Sequence, residues 1–445
     1  MESSKTVIIG LDGVPFGMMK HFAETGAMPN VAELINGGIF RRMESSIPAV
    51  SSVAWSSMIT GANPGCHGIF GFTDLFEGSY NTRFPDFRDL KARPFWEQWP
   101  GKSVIINVPA TYPVRQTDGV HISGFVSVDL AKSVYPKSLL PKLNDLDYRL
   151  DVDSQRAHSS MELFLADLEK ALEARIRTCR YLWDEIDWRT FMVVFTGTDR
   201  LMHFLWDAYE DSQHKYHDYF LAHFRKIDNV IGEIISKLSE EDLIIIHSDH
   251  GFERLDKDVY INYVLIDNGF LKFGQDGGAV LRNIRPGTKA FALDPGRIYV
   301  NLKDKYPCGT VELAEVEELL SQLEDIFGSM EINGRKVIRD IYKREQIYSG
   351  LCFENAPDLV LVAGEGFNLK ANLKSQVQAD KGIFTGKHTQ DTAFLILRGI
   401  LDKASIADVP VISDIKSIIE KNQDLLNPAR CHSEQRLVNM TRFAT

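Results

Sequence analysis

Short runs of apolar, β-branched residues recur along the chain, separated by longer stretches in which leucine, isoleucine and alanine return at helical spacing. The runs Val7–Ile9, Val104–Ile106, Met192–Phe195, Leu243–Ile246, Ile298–Val300, Leu359–Val362 and Phe394–Leu397 read as strands. Several are continuously apolar rather than alternating, the pattern of strands buried on both faces. The periodic stretches predict helices near 159–183, 215–238 and 312–328. Together they describe an α/β fold, a large and mostly parallel central sheet with helices on both faces.

No repeat, low-complexity tract or linker divides the chain, so one domain over 1–445 is expected. Residues 73–155, mixed in glycine, proline and aromatics, read as an insertion or a cap. From about 402 to 445 the pattern is a last helix, Asp414–Lys421, and a polar tail.

At 445 residues, 44% hydrophobic and 25% charged, the composition is that of a soluble globular protein. A formal net charge of -11 argues against a nucleic-acid polymer or an anionic membrane as partner, since both attract basic surfaces. No apolar run reaches the roughly 18 residues of a membrane span. Met1-Glu2-Ser3-Ser4-Lys5 leads into the first strand without the pattern of a secretory signal, so a cytoplasmic location is expected. The five cysteines are scattered and form no Cys-x-x-Cys pair, which suits a reducing compartment and predicts neither disulfides nor thiolate-bound zinc. A homo-oligomer is left open.

In open parallel sheets, ligands sit beyond the carboxyl ends of the strands. Asp12 follows the first strand, Asp199 follows Phe195, and Asp249 with His250 follows Ile246 in Ser248-Asp249-His250-Gly251-Phe252. These acids are expected to converge on one sheet edge. Asp199 and His203, four apart, share a helical face and can reach one metal ion, although a solvated pair is the usual outcome of that spacing. His214, His217 and His223 lie in a charged stretch and read as a solvated helix face. His67 reads as fixing a turn and His247 as packing. Ser51 and Ser52 open a helix-like run ending in Thr60-Gly61. A hydroxyl there serves either as an N-cap or as a nucleophile favoured by the helix N-terminus. Trp55, Phe70, Phe72 and Phe76 are candidates for stacking on a base or for the core.

The order of these pieces resembles the alkaline phosphatase superfamily and, within it, the type I phosphodiesterase/nucleotide pyrophosphatase family. The matching text is Ile8-Ile9-Gly10-Leu11-Asp12-Gly13, Met28 to Leu34, Ser51 to Ile69, Thr198 to His203, Ser248 to Gly251 and Gly386-Lys387-His388. The resemblance implies an alkaline phosphatase-like fold and two divalent ions, zinc or else manganese or iron, flanking a Ser or Thr nucleophile. It implies Asp199, His203 and His388 as ligands of one ion. Asp12, Asp249 and His250 would hold the other, with Ser51 as nucleophile and further ligand. Ser51 stands nine residues before Thr60, the family's spacing, with Ser52 as its rival.

The implied activity is hydrolysis of a phosphodiester or nucleotide pyrophosphate, on a small phosphate-containing substrate such as a nucleotide. Two other readings stay open: a phosphotransferase or phosphomutase with the same site, and a non-catalytic phosphate-binding protein. The chemistry is coherent, because a serine hydroxyl is a poor nucleophile and a bound cation favours its alkoxide. A mixed carboxylate and imidazole set also suits zinc better than calcium. One departure stands out: Phe70-Gly71-Phe72-Thr73 lacks the Asn that assists a phosphate oxygen in eukaryotic-type nucleotide pyrophosphatases. The oxyanion contact is therefore expected from the Ser51 or Ser52 amide, or the substrate differs.

Overall fold

Each of the seven apolar runs is a strand in the computed structural model, which describes residues 4–273, 281–372, 377–400 and 402–426. The main sheet contains β1 (Thr6–Leu11), β2 (Ile39–Met43), β3 (Ser103–Val108), β4 (Gly119–Ser123), β5 (Val134–Tyr135), β6 (Thr190–Phe195), β7 (Leu243–His247) and β8 (Ala393–Arg398). Their order is β2-β8-β7-β1-β6-β3-β4-β5. Strands β7, β1, β6, β3 and β4 run parallel, while β2, β8 and β5 pair antiparallel at the two sides.

Alternation along each strand sorts its side chains onto two faces. On one, Val7, Ile9, Val193 and Phe195 pack with Phe164 and Leu168 of the helix Met161–Glu185 and with Phe220 and Ile227 of the helix His217–Ser236. On the other, Ile8, Met192, Val194 and Ile245 meet Trp55 and Met58 of the helix Ser51–Thr60 and Ile415 of the helix Asp414–Leu426. Gly10 permits that second contact, since a Cβ there would lie 2.3 Å from the Trp55 ring. Burying such side chains contributes roughly 1.5–3 kcal/mol each, which is why runs apolar on both faces become central strands.

The stretch 73–155 supplies β3, β4 and β5, so its part between 103 and 135 belongs to the sheet itself rather than to an insertion or cap. What stands over the sheet comes from later in the chain. After β7 the chain leaves through Gly251–Arg254 and returns through Gly386–Thr389, two strands paired antiparallel as a ribbon. Between them, residues 255–385 build a smaller antiparallel sheet from Ala290–Leu293, Arg297–Val300, Ile338–Lys343 and Leu359–Ala363. Its separate core is packed by the helices Ile261–Asp267 and Val316–Gly328. The runs Ile298–Val300 and Leu359–Val362 thus belong to this second sheet.

Among the described residues no helix is long and apolar enough to cross a membrane. The last helix runs Asp414–Leu426, five residues beyond the expected Asp414–Lys421, and the rest of the expected polar tail, from 427 onward with Cys431, lies outside the described residues.

Candidate active site

β7, β1 and β6 are neighbours in the sheet, with Gly10 level with His247 and Leu11 level with Phe195. Their carboxyl ends are therefore flush, and the residues that follow each strand emerge side by side. Asp12 comes directly off β1. Asp249 and His250 come off β7, and Asp199 lies in the first turn of the helix Gly197–Glu210 that follows β6. Gly13, at φ +76°, turns the chain after Asp12 and donates its amide to Asp249 Oδ1 at 3.0 Å. That bond ties two strand ends together.

Ser51 is the first residue of its helix, after Val50 in extended conformation. Its Oγ lies 3.3 Å from Asp12 Oδ1 and 3.2 Å from His250 Nε2. The neighbouring Ser52 hydroxyl is buried and has no hydrogen-bond partner among the described residues. Of the two serines, Ser51 is the one that faces the cluster.

His203 and His388 come together because the returning strand docks on the helix. Helical geometry breaks at Leu205, where Trp206 donates its amide to Thr385 Oγ1 at 2.7 Å, and the His203 carbonyl accepts the Thr385 amide at 2.8 Å. Gly386 follows, and a Cβ there would meet the Met202 carbonyl at 2.5 Å. This close approach puts His203 Nε2 3.0 Å from His388 Nε2, with Asp199 Oδ1 at 3.4 and 3.1 Å from them. The His250 and His388 rings stack with centroids 3.8 Å apart, so the two halves of the cluster touch.

The second nitrogen of each imidazole fixes its tautomer. Nδ1 of His203 donates to the Gly386 carbonyl, that of His388 to the Ala49 carbonyl and that of His250 to the Gly251 carbonyl, at 3.2, 3.2 and 3.1 Å. A carbonyl can only accept, so these Nδ1 atoms carry the protons and the Nε2 lone pairs point inward. Burial lowers the pKa of all three rings, that of His250 to about 4, which keeps them neutral. Burial also raises Asp12 well above the usual carboxylate range, with Asp249 and Asp199 adding to the effect, and raises Asp249 to about 7. Asp199 is lowered instead: burial opposes ionisation there, but His203, His388 and Arg200 outweigh it.

The result is a buried concentration of acceptors with too few donors. Among the described residues Asp249 Oδ2 has no hydrogen-bond partner, and two Nε2 lone pairs and a carboxylate oxygen meet without a proton between them. Bound cations satisfy such a set, and the carbonyls behind the imidazoles are the outer contacts that metal-ligating histidines make. The ligand-capable atoms of Asp199, His203 and His388 lie within 4.8 Å of one another, as do those of Asp12, Asp199 and His250. All seven residues expected from the sequence are therefore assembled at one place. Asp199 is common to both tight groups, whereas the expectation grouped Asp249 with Asp12 and His250. Asp249 sits just behind, its Oδ2 3.4 Å from His250 Nε2.

A cleft of about 810 Å³ opens over His203 and His388, lined also by Arg200, Phe72, Phe384 and Lys387. Of the aromatics near the serines only Phe72 lines it. Trp55 and Phe70 are core, and Phe76 is exposed on a hairpin away from the lining. His67 does fix a turn, its Nδ1 accepting the Ile69 amide at 3.1 Å and its Nε2 lying 3.0 Å from Ser57 Oγ. His217 donates from Nδ1 to the Ala208 carbonyl at 2.7 Å. His223 is not on a solvated face: it is 1% exposed and lies on the buried stripe of Phe220, Phe224 and Ile227. Arg200, beside Asp199 at the cleft wall, had no signal beyond its adjacency to an acid.

A family model described as type I phosphodiesterase / nucleotide pyrophosphatase matches residues 6–391. No curated protein matches the chain in sequence. Among solved structures, phosphonoacetate hydrolase from Sinorhizobium meliloti 1021 in complex with phosphonoformate is similar with a TM-score of 0.61 at 14% identity, over 95% of this chain and 96% of that one. Murine ectonucleotide pyrophosphatase / phosphodiesterase 5 is similar with a TM-score of 0.52 at 14% identity, over 95% of each chain. An inactive variant of that murine protein, in complex with AMP, gives 0.52 at 12% identity, again over 95% of each chain. At these identities the likeness is one of fold, the alkaline phosphatase-like fold. The family match is broader in meaning, for it runs through every residue of the cluster from Asp12 to His388. The chain belongs to the type I phosphodiesterase/nucleotide pyrophosphatase family and is a phosphoester hydrolase of that metal-dependent kind.

Proposed function

We propose that this protein hydrolyses a phosphodiester or pyrophosphate bond of a small substrate, with Ser51 as nucleophile between two divalent ions, zinc in the first instance. The observation that carries the reading is the meeting of His203 Nε2, His388 Nε2 and Asp199 Oδ1 without a donor, next to a second acceptor group that contains the Ser51 hydroxyl. Asp199, His203 and His388 would hold one ion, and Asp12, Asp249 and His250 the other. When bound, such ions supply positive charge that favours a serine alkoxide and offsets charge on the phosphoryl oxygens.

The chain's own residues supply position. Ser51 sits where the helix N-terminus favours negative charge. In the first turn of the helix the Ser51 and Ser52 amides meet no acceptor among the described residues, so they can donate to a phosphoryl oxygen in place of the missing Asn. Ser51 Oγ gives up its proton to water and attacks phosphorus, the P–O bond to the leaving group breaks with water returning a proton to the leaving oxygen, and a phosphoseryl or nucleotidyl-seryl group forms. Water then attacks phosphorus, the P–Oγ bond breaks and Ser51 is restored. The cleft beyond His203 and His388 receives the rest of the substrate, with Phe72 and Phe384 as its aromatic contacts.

A panel of aryl phosphodiesters, phosphomonoesters and nucleotide pyrophosphates, with zinc and manganese supplied separately, tests the reading. Turnover of at least one diester or pyrophosphate is expected, and it should vanish in Ser51→Ala. Hydrolysis in isotopically labelled water should place label in the phosphate-containing product. Unlabelled product would show transfer to another alcohol instead.

A further inference from the structure

Arg200 carries the inference beyond the ligand set. Its guanidinium is a bridge between two carboxylates, with Nη2 2.8 Å from Asp151 Oδ2 and Nη1 3.2 Å from Asp199 Oδ2. One face lies over the Phe125 ring, 4.2 Å from its centroid, and Phe125 packs edge-on against Phe72. The side chain is only 16% exposed. Three directions are thereby fixed: two by ion pairs and one by the ring.

The consequence falls on Asp199. A lone carboxylate can rotate about χ2 and offer either oxygen, or both, to its neighbours. Here Oδ2 is engaged by Arg200, and Oδ1 is the atom that meets His388 and His203 at 3.1 and 3.4 Å. We propose that Arg200 is a positioning residue that locks Asp199 in the orientation presenting Oδ1 to the histidines, and that Asp151 holds Arg200 in that role. The inference rests on the metal-site reading above and deepens it.

It makes a prediction opposite in sign to simple electrostatics. A guanidinium beside a cation site repels the cation, so its removal on charge grounds alone would tighten binding. A clamp works the other way, because loss of an outer contact to a metal ligand typically weakens binding about 10–100-fold. A two-armed fork is also not replaced by the single point charge of lysine.

The test uses the full chain, stripped of metal and titrated with zinc against a chromophoric chelator, with the visible absorption of the cobalt(II)-loaded protein as a second readout. Arg200→Met should weaken one of the two zinc equivalents by about 10-fold or more and alter the cobalt bands, leaving the other equivalent in place. Arg200→Lys should not restore it, and Asp151→Asn should weaken the same equivalent to a lesser degree. Unchanged or tighter zinc binding in Arg200→Met overturns the proposal, as does full restoration by lysine. If Arg200→Met does not fold, Asp151→Asn decides, and unchanged zinc affinity there overturns it. A wild-type chain that binds no zinc removes the metal reading and this inference together. A wild-type chain with two equivalents and an unaffected variant removes only this inference.

Discussion

His203 Nε2 and His388 Nε2 face each other at 3.0 Å, although one lies on a helix after β6 and the other on the strand that returns to β8. Both Nδ1 protons are spent on backbone carbonyls, so the two lone pairs oppose each other. A cation turns this repulsion into attraction. Zinc should therefore raise the thermal midpoint of chelator-stripped protein, and at a free-ion concentration about 100 times Kd the added stability is about 2.7 kcal/mol. Calorimetric scans with and without zinc check this, and coincident midpoints would refute it. His388→Ala should bind one equivalent fewer by elemental analysis.

Ser51 and Ser52 separate cleanly by mutation. Ser51→Ala should lower kcat by more than about a thousandfold while metal stoichiometry stays at the wild-type value. Ser52→Ala removes a buried hydroxyl that has no hydrogen-bond partner among the described residues, so it should keep activity and lose no stability. Equal loss in both variants would contradict the assignment of Ser51.

Gly386→Ala should act two residues away, at His388. The added methyl would meet the Met202 carbonyl at 2.5 Å and the Phe252 ring at 2.8 Å, so the strand must retreat from the helix. His388 retreats with it and parts from His203. The expected result is loss of one zinc equivalent and a fall in stability of about 1–3 kcal/mol, the usual range for overpacking. Urea denaturation of the apo-protein isolates the second effect from the first.

His121 on β4 gives a pH dependence unrelated to metal. It is fully buried between the Phe87 and Trp96 rings, neither ring nitrogen has a hydrogen-bond partner among the described residues, and burial, with a lesser effect of Arg115, lowers its pKa to about 3. Above pH 6.5 it is neutral in both folded and unfolded chains and contributes nothing to the pH dependence. Below that value the unfolded chain takes up a proton that the folded chain refuses, so stability falls by about 1.4 kcal/mol per pH unit until the folded pKa is reached. His121→Phe should remove this component and be more resistant than wild type to unfolding at pH 5, by about 2 kcal/mol relative to their difference at pH 7.5. Urea unfolding at the two pH values measures it, and parallel losses in both proteins would refute it.

The central strands were legible because β1, β6 and β7 are buried on both faces and so read as unbroken apolar runs, and the acids of the site follow directly from where those runs stop. The edge was harder. β2 carries Arg41 and Arg42, and in β4 His121 interrupts the two apolar positions Val120 and Ile122, so neither shows such a run. His223 was misplaced for a different reason: the charge around it hid its helical spacing to Phe220, Phe224 and Ile227, which puts it on the inner stripe. Arg200 could not be read at all, because its partner Asp151 is distant in sequence and an Asp-Arg dipeptide is commonplace.

The ribbon of Gly251–Arg254 and Gly386–Thr389 gives the molecule a modular economy. Residues 255–385 are entered just past His250 and left just before His388, and they are tied back to the segment 47–73 by bonds such as Tyr348 Oη to the Ile47 carbonyl and Arg297 Nη2 to the Thr73 carbonyl, at 2.9 and 2.8 Å. None of the seven residues of the cluster lies within 255–385, although Thr385 at its end anchors His203. Leu361, Phe367 and Phe384 of this segment line the cleft, so it shapes what the site admits while other parts of the chain build the reacting centre.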